Sequence, residues 1–364
     1  MKVKLFAADE GGCGHYRMIW PCQAAVAATS DVEFDLIRQG SEHAQLAVTM
    51  RNEMTADGVI PTVVGIEDMD CDVAVFQRPR HSFIVESIPF IQRQGVKVVV
   101  ELDDDFLFIH HKNAAYASRK GKPEERNRSN MALLKACGLA DRVICSTPAI
   151  AARFAKNTDH RIVINRVPEW LYGYSPRNDP NVIGWSGTLK THPNDLHPLR
   201  GPLGRVLGEM GEDWQFRVIG DRVGIKEACG VEPDDFIEWV PLHDYPQAMG
   251  TMDVGVVPLE FSPFNEAKSH LKGLEFAANG VPYVATPTQA YRMAHDEFGL
   301  GLLAKKPHDF YRQMKSLMSM SYDGRREIGA AMREQVLTRH SISNNIGEWI
   351  EAWTDWSGAT GRTR

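Results

Sequence analysis

The feature that most limits how this chain can fold is a repeated alternation of short, Val/Ile-rich runs with helical stretches. In the first half the runs are Val3–Ala7, Val32–Ile37, Val73–Phe76, Val96–Leu102, Arg142–Ser146 and Arg161–Asn165. Between them lie Arg17–Ala28, Phe83–Arg93, Arg128–Cys137 and Pro148–Ala155, which read as helices. Runs of β-branched residues bury both faces of a strand, so the pattern predicts an α/β fold with a parallel sheet covered on each side. Ligands of such sheets bind beyond the carboxyl ends of the strands, which directs attention to the loops that follow them.

The same alternation resumes after Glu169–Asn181, a stretch rich in Pro, Asn, Gly and aromatics that reads as a linker. Strands are expected at Val182–Trp185, Phe216–Ile219, Phe236–Val240, Val254–Val257 and Leu300–Leu303, with helices at His243–Gly250 and through much of Pro307–Arg339. A chain of 364 residues exceeds one small core. The expected division is a first domain over 1–168, a linker over 169–181, a second domain over 182–340, a terminal helix over 341–358 and a frayed tail over 359–364. In the terminal helix Ile346, Trp349, Ile350, Trp353 and Trp356 recur at helical spacing. So aromatic a stripe reads as core that docks on a groove.

Composition narrows the function classes. With 43% hydrophobic and 24% charged residues the chain is globular, and a net charge of −6 supplies no global field for nucleic acid or anionic membrane. Six scattered cysteines without a CxxC pair read as free thiols in a reducing compartment. The absence of a long apolar run and of a leader-like start points to a cytoplasmic protein.

Three strand-end loops in the first half carry candidate chemistry. The first runs from Asp9 through Gly11, Gly12 and Gly14 to Arg17. With Gly12 and Gly14 as the first two glycines, the third position of a dinucleotide fingerprint is Arg17, so NAD binding is not expected. A ligand loop and a merely permissive turn both remain open there. The second loop places Arg78 and Arg80 where they can hold a phosphate or carboxylate, or pair with neighbouring acids. The third carries Asp103, Asp104 and Asp105, then His110 and His111. The acids suit a divalent metal, a helix cap or sugar hydroxyls. The histidines suit proton handling or no role at all.

In the second half the stretch Phe264–Thr286 reads as one helix followed by a buried strand, stopped by Asn279-Gly280 and resumed at Tyr283–Ala285. Lys268, Lys272 and Glu275 then share one helical face, with Leu271, Leu274 and Ala278 on another. Lysines and exposed amides at a helix start suit a phosphate, while a plain solvated Lys/Glu face is the alternative.

The order of signals over Val182–Thr286 resembles the retaining GT-B glycosyltransferases, especially the family numbered four. The resemblance lies in Gly184-Trp185-Ser186-Gly187-Thr188 with Lys190 downstream, then Val218-Ile219-Gly220-Asp221, then Phe236–Leu242 leading to Tyr245. It continues with Met252-Asp253-Val254 through Pro258, and with Glu275, Gly280, Pro282 and Ala285-Thr286. In the first half Gly12–Arg17, Ala140–Thr147 and Ile164–Pro168 resemble the family more loosely, and the combination also looks like glycosyltransferase-like proteins of bacteriophages. One departure stands out. The family's two glutamates lie eight positions apart, which places the first at Ala267, with Glu266 and Lys268 on either side.

The resemblance implies two Rossmann-like domains facing a central cleft, with the C-terminal helix crossing back to the first. It implies sugar transfer from a UDP- or GDP-sugar to an acceptor hydroxyl with retention, no protein nucleophile and no obligatory metal or cofactor. Lys190, Lys268 and Glu266 are the expected catalytic residues. Gly187, Thr188, Gly220, Asp221, Asn265, Lys268, Ser269 and Glu275, with Gly12 and Gly14, are expected to hold the donor. Arg17, Arg78, Asp103, Asp104, Asp105, His110 and His111 are the acceptor candidates. Asp195 reads as a helix cap, with orienting its loop or touching the sugar as alternatives. An epimerase-like enzyme on the same fold and a donor-binding protein without turnover remain alternatives. The acceptor is left open among glycan, protein, lipid and modified DNA base. The last would need the basic run Arg78, Arg80, Lys112, Arg119, Lys120, Lys122, Arg126 and Arg128.

Overall fold

The computed structural model describes residues 1–38, 46–55, 58–113, 123–173 and 181–357. Most of the expected linker, the tail, and Arg119, Lys120 and Lys122 lie outside them. The chain divides into two compact units: Met1–Leu107 with Arg119–Ile164 and Asn345–Arg364, and Phe108–Ser118 with Asn165–Asn344.

The first unit is built on a six-stranded sheet in the order β2-β1-β5-β6-β7-β8. These strands are Lys2–Phe6 (β1), Glu33–Ile37 (β2), Val73–Gln77 (β5), Lys97–Leu102 (β6), Arg142–Cys145 (β7) and His160–Ile162 (β8), and every pairing is parallel. The interior strands β5 and β7 are buried along their whole length, as their mainly apolar residues suit, with Gln77 and Arg142 the buried polar exceptions. An antiparallel hairpin, Val48–Thr55 (β3) with Gly58–Ile66 (β4), is inserted after β2 and was not expected from the sequence.

The terminal helix Ile342–Thr354 belongs to this first unit from Asn345 onward. Trp349 and Trp353 are fully buried. Trp353 meets Phe34 edge-on at 5.7 Å, and Arg142 donates from its guanidinium to the Ala352 carbonyl at 3.0 Å. The tryptophan stripe is therefore core.

The second unit repeats the plan with the order β11-β10-β9-β12-β13-β14. Its strands are Asn181–Gly187 (β9), Trp214–Gly220 (β10), Asp235–Ile237 (β11), Val254–Val257 (β12), Tyr283–Ala285 (β13) and Leu302–Leu303 (β14), again all parallel. In both sheets the strand order reverses beside the first strand, between β1 and β5 and between β9 and β12. Crevices at such reversals are where open α/β sheets receive ligands.

One expectation fails in an informative way. The stretch after Pro263 is two helices, Pro263–Glu266 and Leu271–Ala278, and not one. Ser262 caps the first, accepting from the Asn265 amide. Asn265, in the first helix, is buried and bonded to Asp195 and the Glu260 carbonyl, and buried His270 occupies the cap position at the start of the second. Lys268 and Ser269 sit in the break, so Lys268 does not share a helical face with Lys272 and Glu275. The stop at Asn279-Gly280 is as expected, with Gly280 at φ +68°.

Candidate functional site

At the β9/β12 reversal of the second unit the structure gathers most of the expected donor residues. Gly187 and Gly220 face each other across β9 and β10 in register. Gly220 has φ +124°, and a β-carbon there would collide with the Gly187 carbonyl, so the strands end side by side only with glycine at 220, while a β-carbon at Gly187 would meet the Trp185 ring. Just beyond them the Thr188 hydroxyl donates to Asp221, whose other oxygen accepts from the Trp239 indole at 3.3 Å. Lys190 Nζ stands 3.6 Å from Asp221, with its side chain largely in solvent. These contacts, led by the Thr188 hydrogen bond, hold the Asp221 carboxyl below its ordinary range.

The network continues inward. Trp239 lies 6.4 Å from Tyr245, ring to ring. The Tyr245 hydroxyl meets Ser186 Oγ at 2.6 Å and accepts from Lys272, whose Nζ also lies 2.8 Å from Glu275 Oε2. Glu275 is only 3% exposed, on the inner side of the helix. Burial works to lower the Lys272 pKa, but Glu275 and Tyr245 outweigh it and raise the ammonium well above its ordinary value. Tyr245 itself is raised, by burial first.

A second group lies beside the first. Asp195 Oδ2 meets His192 Nδ1 at 2.7 Å, while Oδ1 accepts from the Glu260 amide at 2.9 Å and the Asn265 side chain at 2.7 Å. Burial opposes ionisation of Asp195, but His192 and these donors override it and depress its pKa. The helix-cap reading is corrected in favour of the loop-orienting one: Asp195 ties the loop after β9 to the loop after β12, and Leu196 occupies the cap position of the turn His197–Leu199. Asn194 donates to Glu260 at 3.0 Å and approaches His110 Nε2 at 3.5 Å. Thus His110, its ring tilted against His111 at 4.2 Å, joins this group. Lys268 Nζ lies 4.5 Å over the Phe264 ring. Ser269 accepts from Asn165 at 2.7 Å. Glu266 is apart: it pairs with Arg292 at 2.7 Å and accepts the Gln289 amide at 3.0 Å, acting at the start of the helix Gln289–Phe298.

In the first unit the expected residues separate into core and cavity. Arg17 is fully buried, bonded to Glu101 at 2.6 Å and to the Val163 carbonyl at 2.7 Å, with its guanidinium 4.3 Å over Trp349. It is therefore corrected from acceptor candidate to core cation. Asp105, 1% exposed and paired with Arg153, is corrected likewise. Gly14 packs against the Asp9 carbonyl, where a β-carbon would collide, whereas Gly12 faces open space. Arg78 pairs with Asp9 and stands 3.7 Å from Asp103, and its backbone is left-handed at φ +49°. A non-glycine residue held there costs on the order of 1–3 kcal/mol, a strain that clusters at functional sites. Cys13, Asp103 and Asp104 bring their ligand atoms within 4.8 Å of one another, while Asp105 stays outside that group. All six cysteines are free.

Two functional candidates were missed by sequence reasoning. Trp239 is 51% exposed beside Asp221, and only its place two residues past β11 hinted at it. Tyr245 was seen as a helix start and not as the hub between Ser186 and Lys272.

Comparison with known proteins fits this geometry. The family model described as Glycosyl transferase-like matches residues 201–351. No curated protein sequence matches the chain. Among solved structures, a sucrose-phosphate synthase from Thermosynechococcus elongatus aligns with a TM-score of 0.64 at 14% identity, over 96% of this chain and 98% of that one. Anabaena HepE, solved with UDP and glucose, gives 0.61 at 14% identity, over 96% and 99%. The trehalose-6-phosphate synthase OtsA gives 0.61 at 11% identity, over 97% and 99%. Likeness at this identity shows a shared fold, the two-domain GT-B architecture. No described helix is long and apolar enough to cross a membrane.

Proposed function

We propose that this chain, a glycosyltransferase with the GT-B fold, moves a sugar from a uridine or guanosine diphosphate sugar to an acceptor hydroxyl with retention of anomeric configuration. One observation carries the reading: the connected side chains Thr188–Asp221–Trp239–Tyr245–Lys272–Glu275 at the strand ends of the second unit, joined by polar contacts and one Trp239–Tyr245 ring contact. It offers an exposed indole for a nucleobase, a buried carboxylate for ribose hydroxyls and lysines for a diphosphate. HepE, solved with UDP and glucose, and a trehalose-6-phosphate synthase, solved with UDP-2-fluoro glucose at 12% identity, favour a uridine donor.

In the transfer, the bond from the anomeric carbon to the diphosphate oxygen breaks. The acceptor oxygen bonds to that carbon on the same face, and the acceptor proton passes to the leaving diphosphate. Negative charge grows on that diphosphate, so stabilising it is the main electrostatic task. Lys190 and Lys268 take it, with the amides of the Gly187 loop. Asn265 and His110 are assigned to the sugar end, steadied through Asp195 and Asn194. Glu266 is already engaged by Arg292 and is left out of the reacting set. That engagement favours one second reading, donor binding without turnover.

The test is a melting-temperature screen with UDP, GDP and their sugars, since a ligand that binds the folded state alone raises its stability. It is followed by an acceptor-panel assay with the product anomer read by proton NMR. A uridine-selective shift and a product of unchanged configuration are expected. No shift with any nucleotide overturns the reading. A shift without transfer or hydrolysis leaves the donor-binding alternative, and an inverted product removes retention.

A further inference from the structure

The first unit has its own cavity of about 880 Å³ at the β1/β5 reversal, bounded by the ends of β1, β2 and β5 and by Phe106 after β6. That size lies within the range of small-molecule sites. Its floor is aromatic and aliphatic: Phe6 and Phe76 stack at 4.6 Å, and Ile37, Val48, Phe83 and Phe106 extend it. Flat aromatic surfaces of this kind receive flat apolar ligands by offset or edge contact.

The charged wall is uneven. Arg38 is met by Glu10, and Arg78 by Asp9 with Asp103 nearby. Arg80 is different. Its guanidinium lies 4.6 Å over the Phe106 ring, and its one hydrogen bond among the described residues is a long one, 3.4 Å, to the Asn130 side chain. Its Nε is buried without a hydrogen-bond partner. Among the described residues no carboxylate pairs with it, so within them its planar fork meets no anion. A guanidinium in that state, half-shielded by an aromatic ring, is matched by a carboxylate or phosphate oxygen.

We infer that this cavity binds an aryl anion, a flat apolar ring system on the phenylalanine floor with its carboxylate or phosphate against Arg80, and that such a molecule is the acceptor class. The acceptor role rests on the transfer reading above, whereas the binding does not.

The test titrates the full chain by calorimetry with 6-hydroxy-2-naphthoate, 2-naphthyl phosphate, 2-naphthol and inorganic phosphate. Either or both naphthyl anions bind saturably, at least about tenfold more tightly than 2-naphthol or phosphate alone, as a charge-assisted hydrogen bond implies. Which anion binds better tells carboxylate from phosphate. Arg80→Gln removes the advantage of the anions while leaving 2-naphthol affinity and the nucleotide-induced melting shift unchanged. Equal binding of 2-naphthol and the anions, or an unaffected Arg80→Gln variant, overturns the inference. If the anions bind but no nucleotide shifts the melting temperature, the donor reading falls and the cavity assignment stands. With a donor sugar selected by that screen, release of nucleoside diphosphate rises on adding 6-hydroxy-2-naphthoate. Binding without that rise overturns the acceptor role.

Discussion

Lys272 Nζ lies 2.8 Å from Glu275 Oε2, three residues on along the helix Leu271–Ala278. The pair matters because a carboxylate only 3% exposed needs a partner to offset the cost of its burial. Lys272→Met removes the cation beside that carboxylate and is expected to cost about 3 kcal/mol, at the low end for a broken buried pair since the lysine is partly solvated. Glu275→Gln removes the acceptor charge with little change of shape. It is expected to lower nucleotide affinity roughly tenfold to a hundredfold while leaving the melting temperature of the free protein within a few degrees. Chemical denaturation checks the first, calorimetric titration with UDP the second.

Trp239 is half-exposed and hydrogen-bonded to Asp221, so little of the folded core depends on its ring. If it receives the base, Trp239→Ala weakens UDP binding by about 1–3 kcal/mol, the range found for base stacking on an aromatic side chain. Glucose alone binds as before. Tryptophan fluorescence of the wild type changes on UDP addition, and the part owed to Trp239 is missing in the variant. Full retention of UDP affinity in Trp239→Ala removes this role.

How much of this was legible beforehand follows from the range of the forces involved. Strands Val254–Val257 and Tyr283–Ala285 fall where expected, because β-branched and aromatic runs are local signals. The β3–β4 hairpin escaped because Met50, Arg51, Asn52, Glu53 and Met54 give no clean alternation, and several of its apolar residues are exposed. The helix break at 267–270 follows a segment tied to Asp195, 70 residues away, a contact that no local window contains. Gly187, Gly220 and Asp221 were readable because their strand-end motifs resemble those of a known family, and such motifs are local in sequence. Tyr245 and Arg80 needed the tertiary structure, because a side chain's partners are what define its role.

His270 and His340 form a buried pair, ring centroids 5.7 Å apart, with Arg166 3.2 Å from His340 Nδ1. Burial, followed by Arg166, lowers His270 to about 4, and burial followed by His270 and Arg166 lowers His340 to about 3. The unfolded chain takes up protons near pH 6.5, well above these folded values. Stability from this pair is therefore complete above pH 6.5 and is lost as pH falls towards 4 and then 3. Denaturation midpoints measured from pH 7.5 to 4 should fall for the wild type. The fall should be shallower in His270→Asn, whatever that variant's stability at pH 7.5.

Gly220 stands at φ +124° against the Gly187 carbonyl. Gly220→Ala faces both an unfavourable backbone conformation and a collision with main chain that cannot swing aside. A loss of about 2 kcal/mol or more is expected. Gly208→Ala, inside the helix Pro202–Met210 with open space around it, serves as the control and should be neutral or stabilising. Because Gly220 sets the end of β10 beside Thr188, its variant should also lose more UDP affinity than its stability loss explains at a temperature where it is folded.

Arg17 and Glu101 share a 2.6 Å contact with both side chains all but sealed from solvent. Arg17→Met leaves Glu101 as an unpaired buried carboxylate, for which a loss of about 3–5 kcal/mol is expected. The double variant Arg17→Met with Glu101→Gln removes the stranded charge and should recover much of that loss, because a polar amide in the same place needs no cation. A role for Arg17 in acceptor binding makes the opposite forecast. The single variant would then stay stable, and its acceptor KM would rise. Urea denaturation of the two variants separates these outcomes, since a buried cation held by Glu101 and the Val163 carbonyl acts on stability before it can act on any ligand.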